Sequence, residues 1–243
     1  MKQLFKRVLR ALTADRVVLG LGIALLIGYV TVEVLIRFTE SYANPILRAV
    51  ALVSVCLIFY CGGRLRLQRT GDRITLRRLF YLFFALYLYL LLSLTLIDVA
   101  MGRTGDFLLN NVSFRDERAH YMRWFVNFVP FRSIYELYIR GLIRGYVSFS
   151  YVALNFLGNL CLCMPLAFFL PLLWKHQRKW YFFLPTLLLS VALIEALQLF
   201  FMVGSCDVDD LILNAAGAIG FYFLLRIPPI KKLIKRLLAD CFD

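Results

Sequence analysis

Long apolar runs alternate with short polar segments along most of the chain. A run of roughly 20 predominantly apolar residues is long enough to cross the hydrocarbon core of a bilayer as an α-helix. Runs of this kind predict transmembrane helices at residues 17–36, 46–63, 79–101, 149–174, 180–202 and 210–227. The pattern therefore predicts an all-α, polytopic transmembrane helical bundle of about six spans rather than a soluble domain.

The basic residues between the apolar runs predict the orientation of the spans. The segment from Arg64 to Arg78 alone carries six arginines, whereas the acidic run Asp207, Asp209 and Asp210 falls in a short loop without basic residues. Lys and Arg accumulate in cytoplasmic loops. One arrangement satisfies every short loop, and it places both termini in the cytoplasm and the acidic run outside the cell membrane.

This arrangement divides the chain into four regions. Residues 1–101 hold an amphipathic N-terminal helix and three spans, and residues 102–147 form an external loop rich in aromatic residues. Residues 148–227 form a three-span polar core, and residues 228–243 form a basic cytoplasmic tail. Apolar residues recur at helical spacing over residues 133–144, so we expect an external interfacial helix between spans 3 and 4.

The remaining charged residues exclude several classes of function. The net charge of +13 comes from basic residues in short clusters between the apolar runs, so the positive-inside rule is the simpler cause and we expect no nucleic-acid partner. The two histidines, His120 and His176, are predicted on opposite sides of the membrane, which excludes a His-based metal site and a Ser-His-Asp triad. In the first span, Glu33 and Arg37 lie one turn apart and are expected to pair with each other.

Polar side chains inside the last three spans are the candidate functional residues. An ionisable residue in the hydrocarbon costs about 2.5–3.5 kcal/mol on insertion scales, so it needs a partner or a function. A rise of about 1.5 Å per residue places Asn155, Glu195 and Asn214 at a similar depth in the outer leaflet. Three further polar residues lie three or four positions from these, on the same helix faces: Asn159, Gln198 and Asp210.

Each of these residues also has a structural interpretation. Asp209 or Asp210 could cap the sixth helix, and the two asparagines of the fourth span could hold helices together by hydrogen bonds. The stretch 214–220 could be a packing face of small residues. Glu195 is harder to explain in this way, because a neutral residue would pack better.

Three blocks of residues resemble the VanZ-like family of membrane proteins, named for an accessory protein of glycopeptide resistance. The blocks are Asn127-Phe128-Val129-Pro130-Phe131 with Ser133 and Ile134; Asn155-Phe156-Leu157-Gly158-Asn159 with Pro165 and Leu166; and Ser190, Glu195 and Gln198 followed by Asp207, Asp209, Asp210, Asn214, Gly217 and Gly220. Together they cover residues 127–222, and three blocks in order at these spacings are a specific signal. The resemblance implies a link to resistance against teicoplanin-type lipoglycopeptides, and it implies no defined reaction.

The chain departs from the family pattern at one point. Many family members resemble a pattern with Arg shortly before the acidic run, where this chain has Ser205 and Cys206. If that Arg anchors an anionic substrate, Arg132 or Arg123 would have to take its place here.

Two functions follow as hypotheses. In the first, the protein binds a cell-envelope lipid, a lipid-linked precursor or a lipidated glycopeptide at the outer leaflet. In the second, it is a membrane-embedded enzyme that modifies such a lipid. The candidate catalytic residues are Glu195 and Asp210, and the candidate ligand-binding residues are Asn127, Arg132, Asn155, Asn159, Gln198, Asp207, Asp209 and Asn214.

The sequence does not identify a cofactor. Carboxylates with amide oxygens are hard ligands that suit Ca²⁺, Mg²⁺ or Mn²⁺, so a divalent cation is compatible with the candidate residues. A transporter is the weaker alternative, because the polar groups lie near one membrane face rather than at the midplane.

Overall fold

A computed structural model describes residues 14–38, 44–97 and 114–238. The structure is 86% helical, with almost no β-strand, which confirms the predicted all-α class. The predicted amphipathic helix at the N-terminus and the first part of the external loop lie outside the described residues, as does Cys241. The chain divides into two compact units, one of residues 1–90 with 238–243 and the other of residues 91–237.

The first unit is built from three long helices. They are α1 (Ala14–Phe38), α2 (Pro45–Thr70) and α3 (Arg73–Leu92). The side chain of Asn44 caps α2 by accepting a hydrogen bond from the Ile46 amide at 2.9 Å, and Pro45 occupies the first turn, where its missing N–H is not needed. Gly71 ends α2 in a left-handed conformation with φ of 71°. All three helices are long and apolar enough to cross a membrane.

A buried ion pair in this unit corrects one expectation. Glu33 was expected to pair with Arg37, but its carboxylate binds Arg48 of the next helix through two contacts of 2.7 Å. Both side chains are buried, and the Tyr89 hydroxyl lies 3.3 Å from the same carboxylate. The side chain of Arg37 lies outside the described residues. Helical spacing reveals neighbours on one helix only, so it could not reveal a partner on α2.

The second unit contains the rest of the described chain. After α3, a π-helical turn covers Ser93–Ile97. The elements that follow are α4 (Phe114–Trp124), β1 (Val126–Asn127), a π-helical segment (Ile134–Arg140), α5 (Gly141–Ile143), α6 (Phe149–Leu162), α7 (Met164–Leu173), a 3₁₀ turn (Lys175–Arg178), α8 (Trp180–Phe201), β2 (Cys206–Asp207), α9 (Val208–Leu224) and α10 (Pro228–Leu238). The helix expected over residues 133–144 is present as the π-helical segment and α5, whereas α4 was not predicted.

The membrane-spanning helices match the predicted runs closely. Five helices of the described chain are long and apolar enough to cross a membrane, with Phe149–Leu173 counted as one. The predicted sixth span corresponds to α9, which passes the same test only together with α10. The two helices meet at an angle of 84°, where Pro228 and Pro229 prevent α9 from continuing. The described part of the chain therefore holds five candidate spans, or six if the bent pair is one.

Helix α9 lies at the centre of the second unit, packed against α6, α7 and α8. Its buried face carries small residues, among them Ala215, Gly217 and Ala218. A Cβ atom added at Gly217 would collide with the backbone carbonyl of Leu160 on α6, whereas one added at Gly220 would meet no atom within 4 Å. Small residues let helix backbones approach closely in membranes. The predicted packing face is therefore present at Gly217 but not at Gly220.

We expect Gly217→Ala to destabilise the protein, because its methyl group must push α9 away from α6. Overpacking of this kind costs about 1–3 kcal/mol, and more where the opposing atoms are backbone. Gly220→Ala on the same helix is the matched control, and it should leave stability unchanged or raise it slightly through helix propensity. The measurement is the thermal unfolding midpoint of the purified proteins in one detergent. Equal midpoints for the two variants would contradict the close approach of α9 and α6.

Candidate functional site

The start of α9 is organised around the carboxylate of Asp207. This side chain caps the helix by accepting a hydrogen bond from the Asp209 amide at 2.9 Å. It also accepts hydrogen bonds from the Asn127 side-chain amide at 2.9 Å and from the Ser133 hydroxyl. The helix cap was expected at Asp209 or Asp210, and the structure assigns it to Asp207. One carboxylate thus joins residues 127–133 to the beginning of α9.

The carboxylate of Asp209 holds the same loop by its backbone. Asp209 is only 1% exposed, and it accepts hydrogen bonds from the amides of Phe131 and Ile134, the second at 3.0 Å. Phe131 has a left-handed backbone with φ of 64°, a conformation uncommon for a residue with a side chain. A buried amide without a partner is costly, so Asp209 stabilises this tight turn. We call the bonds from residues 127–134 to Asp207 and Asp209 the carboxylate clamp.

Two further contacts hold the same chain segments together. Strands β1 and β2 run parallel, with Val126 opposite Cys206 and Asn127 opposite Asp207. At the end of α4, the hydroxyl of Tyr121 donates to the carbonyl of Gln198 at 3.2 Å. The segment of residues 121–134 is therefore fixed to the last turn of α8 as well as to the first turn of α9.

A polar cavity lies directly below the clamp. Its volume is about 20 Å³, and its walls come from the π-helical turn after α3 and from α6, α8 and α9. The lining residues are Thr95, Asn159, Leu162, Cys163, Val191, Ile194, Glu195, Gln198, Asp210 and Asn214. Five of the predicted polar residues thus share one cavity: Asn159, Glu195, Gln198, Asp210 and Asn214.

Hydrogen bonds connect the cavity to the clamp and to the neighbouring helices. Glu195 accepts a bond from the backbone amide of Asp207 at 3.1 Å. The side-chain amide of Asn159 donates to the Asp210 carboxylate, and that of Asn214 donates to the Asp210 carbonyl at 2.8 Å. The side-chain oxygen of Asn214 is buried and has no hydrogen-bond partner in the described part of the chain. The cavity wall therefore contains an unsatisfied acceptor beside two carboxylates.

The other predicted residues lie elsewhere. Asn155 does not line the cavity, because its side chain donates to the carbonyl of Tyr151 one turn earlier on α6. The clamp contains three of them: Asn127 donates to Asp207, and Asp209 accepts two backbone amides of the same loop. Arg132 has an exposed side chain outside the cavity, and Arg123 lies 5.6 Å from the ring of Trp124.

Two residues near the clamp were not predicted as part of the site. Burial, followed by the charges of Asp210 and Asp207, raises the pKa of Tyr138. Cys206 is buried although it lies in a polar loop, and burial together with Glu195, Asp207 and Asp210 raises the pKa of its thiol to about 11. Both side chains are therefore neutral at physiological pH. Sequence spacing carried no signal for the environment of Tyr138, because Asp207 and Asp210 are about 70 residues away in the chain.

The described residues contain no group of three or more His, Cys, Asp and Glu side chains that could hold a metal ion. The cavity instead combines two carboxylates with amide oxygens. Such a set suits general acid–base chemistry or a hard cation rather than a thiolate or imidazole metal centre.

Comparison with known proteins gives one match. The profile of the family described as VanZ/LLP1 matches residues 84–230, more than half of the chain. The matched region includes the clamp, the cavity and all three sequence blocks. No curated protein and no solved structure matches the chain.

We expect Asp209→Asn to loosen the external loop. The amide keeps one acceptor oxygen but turns an N–H₂ group toward a buried backbone amide, at a cost of about 1–3 kcal/mol. Hydrogen exchange of residues 126–134 should become faster, and the unfolding midpoint should fall. Glu136→Gln is the control, because Glu136 is exposed and pairs only with Arg140 on the same helical segment. Unchanged exchange in Asp209→Asn would show that the clamp does not hold the loop.

Proposed function

The chain belongs to the VanZ/LLP1 family and is a multi-pass membrane protein, and we propose that it acts at the outer leaflet on a cell-envelope lipid or a lipidated glycopeptide, contributing to teicoplanin-type resistance. Its partners under this proposal are membrane lipids, with a lipid-linked envelope precursor or a lipoglycopeptide as the specific ligand.

The observation that carries the proposal is a set of exposed aromatic side chains in the segment that the carboxylate clamp joins to the start of α9. Seven aromatic side chains between α4 and the start of α6 are at least 45% exposed: Trp124, Phe125, Phe128, Phe131, Tyr135, Tyr146 and Phe149. We call this set the aromatic face. The carboxylate clamp fixes its central residues to the start of α9, directly above the cavity. Aromatic rings with exposed faces favour the region between headgroups and hydrocarbon.

The chemistry of the aromatic face fits an amphiphilic ligand. Acyl chains and apolar tails pack against aromatic rings, and arginines bind phosphate groups through two parallel hydrogen bonds. Arg123 and Arg132 have exposed side chains within this segment. A ligand with a lipid tail and an anionic or polar head would therefore contact both kinds of group at once.

The proposed orientation places both termini in the cytoplasm and the aromatic face outside. Basic residues support it at several positions: Arg64–Arg78, the turn from Lys175 to Lys179 before α8, and the four cations of α10. The turn before α8 is at the opposite end of that helix from the clamp. Lys and Arg near the ends of spans favour the cytoplasmic side.

An enzymatic function is the second candidate, and one observation favours it. Glu195 and Asp210 line the same small cavity, and Glu195 accepts a hydrogen bond from the backbone amide of Asp207 in the clamp. Two carboxylates in one partly desolvated site can titrate differently, so that one holds a proton and the other accepts one. Under this proposal, the protein modifies a lipid-linked wall precursor or another envelope lipid, with Glu195 and Asp210 as the catalytic residues.

The orientation is tested by cysteine labelling in intact cells with a reagent that cannot cross membranes. Arg144→Cys should be labelled from outside, and Lys175→Cys should be labelled only after the membrane is opened; both native side chains are exposed. The parent protein gives the background, and Cys206 should contribute little to it at neutral pH, because its thiol is buried with a pKa of about 11. External labelling at position 175 and not at 144 would reverse the orientation.

The function is tested by expressing the protein in a glycopeptide-sensitive bacterium. Expression should raise the teicoplanin concentration that stops growth and should leave sensitivity to a glycopeptide without a lipid tail unchanged. Trp124→Ala should lose this protection, because it removes the largest ring of the aromatic face. Trp180→Ala is the matched control, since Trp180 is similarly exposed at the other end of α8. Equal protection by both variants, or no protection by the parent protein at normal expression, would refute the proposal.

The same strains separate the two candidate functions. Glu195→Gln keeps the size of the side chain and an oxygen that can accept the Asp207 amide. A binding protein should retain protection in this variant, whereas an enzyme should lose both protection and any altered envelope lipid found with the parent protein.

A further inference from the structure

The helix that follows the bend, α10, has two chemically different faces. At about 100° per residue, the apolar residues of 230–237 fall within one arc of about 100°, and the basic residues fall within the opposite arc of about 140°. The apolar residues are Ile230, Leu233, Ile234 and Leu237, and the basic residues are Lys231, Lys232, Lys235 and Arg236. The positive-inside rule requires basic residues after a span but does not order them on one face. The order indicates a helix at a boundary between water and an apolar medium.

The direction of α10 fits such a boundary. Helix α9 has 17 residues, so it is about 25 Å long and crosses most of a hydrocarbon core about 30 Å thick. Helix α10 leaves it at 84°. When α9 stands close to the membrane normal, α10 therefore lies close to the membrane plane. As the second half of a span, α10 would carry four cations into the hydrocarbon, where charged side chains are costly.

Hydrogen bonds at the bend fix the depth at which α10 begins. The guanidinium of Arg226 donates to the carbonyl of Arg178 at 2.7 Å, and the Tyr222 hydroxyl donates to the same carbonyl at 3.0 Å. Arg178 belongs to the polar turn between two membrane-spanning helices, and such turns lie at the membrane surface. Trp174 and Trp180 flank this turn with exposed rings, as is typical of the headgroup level. Helix α10 therefore starts at the level of the headgroups.

The exposed side chains of α10 complement an anionic lipid surface. Leu233 is 56% exposed although it belongs to the apolar face, and Lys231, Lys232 and Arg236 are exposed on the basic face. Apolar side chains of a surface helix enter the boundary between headgroups and acyl chains. Each basic residue close to the surface adds attraction to anionic headgroups.

We propose that α10 lies flat on the membrane surface at the end of α9 away from the carboxylate clamp. There it binds the phosphates of anionic phospholipids through Lys231, Lys232 and Arg236, while Leu233 enters the acyl-chain boundary. This contact goes beyond the proposed function, which concerns the opposite end of α9. It fixes the position of α9 along the membrane normal, because a shift in either direction would bring cations into hydrocarbon or Leu233 into water.

The test uses the full-length protein in lipid nanodiscs with one chain per disc. The discs contain phosphatidylcholine alone, or phosphatidylcholine with a third of the lipid replaced by phosphatidylglycerol. We expect amide hydrogen exchange of residues 230–237 to be about tenfold or more slower in the anionic discs. Exchange of α8 should be the same in both discs. High salt should remove the difference, because it screens exposed charges.

Two matched double variants separate the charge from the shape of the basic face. Lys231→Gln with Lys232→Gln should lose most of the slowing in anionic discs. Lys231→Arg with Lys232→Arg should keep it, because both charges remain. The native side chains are exposed, so neither pair of changes should alter the thermal unfolding midpoint in detergent.

Four results would overturn the proposal. Two are equal exchange in neutral and anionic discs, and slowing in the glutamine double variant equal to that in the parent protein. The third is slowing in phosphatidylcholine discs on addition of soluble glycerol phosphate, which would assign the cations to a free anion. The fourth is slowing that appears only with two chains per disc, which would assign α10 to a contact with a second copy. Antibiotic protection enters none of these measurements, so each result leaves the proposed function to its own test.

Discussion

The carboxylates of Asp207 and Asp209 are the constraint on which the second unit depends. Residues 127–134 meet the membrane helices as a tight turn, and a tight turn exposes backbone amides that helices would otherwise satisfy. In an apolar environment each unpaired amide is expensive. The Asp209 carboxylate accepts hydrogen bonds from two of these amides. The Asp207 carboxylate accepts hydrogen bonds from two side chains of the same segment and also caps α9. Without these acceptors the turn around Phe131 would have no favourable place beside α9.

This constraint explains how an aromatic loop and a polar cavity come to lie together. The backbone amide of Asp207 donates to Glu195. Asp207 therefore binds the loop through its side chain and positions an acid of the cavity through its backbone. The next turn of α9 carries Asp210 and Asn214 toward α6 and α8. Gly217 then permits the close contact between α9 and α6 that brings Asn159 to the Asp210 carboxylate. The residues of the clamp, of the cavity lining and of the close helix contact therefore follow one another along α9.

Much of this arrangement follows from the sequence where the argument concerns one helix at a time. Apolar length predicted the spans, and the rise per residue predicted that Glu195 and Asn214 share a depth; the cavity contains both. The argument failed where contacts join distant segments. Asn127 meets Asp207, and Glu33 meets Arg48, through geometry that periodicity does not encode. Asn155 was predicted at the same depth, but its amide donates to a carbonyl of its own helix, which spacing alone cannot distinguish from pointing into a cavity.

The polar cavity costs stability that an apolar lining would not. Leucine or alanine in place of Glu195 and Asn214 would remove a half-buried acid and an unsatisfied amide, and charges replaced by well-packed apolar groups often leave a protein equally or more stable. The clamp does not require these two side chains to be polar, apart from one bond from the Asp207 amide. Local arrangements that work against stability are typical of functional sites rather than of packing. The cavity is therefore better explained by an occupant or a proton than by the fold, whereas the clamp is fully explained by the fold.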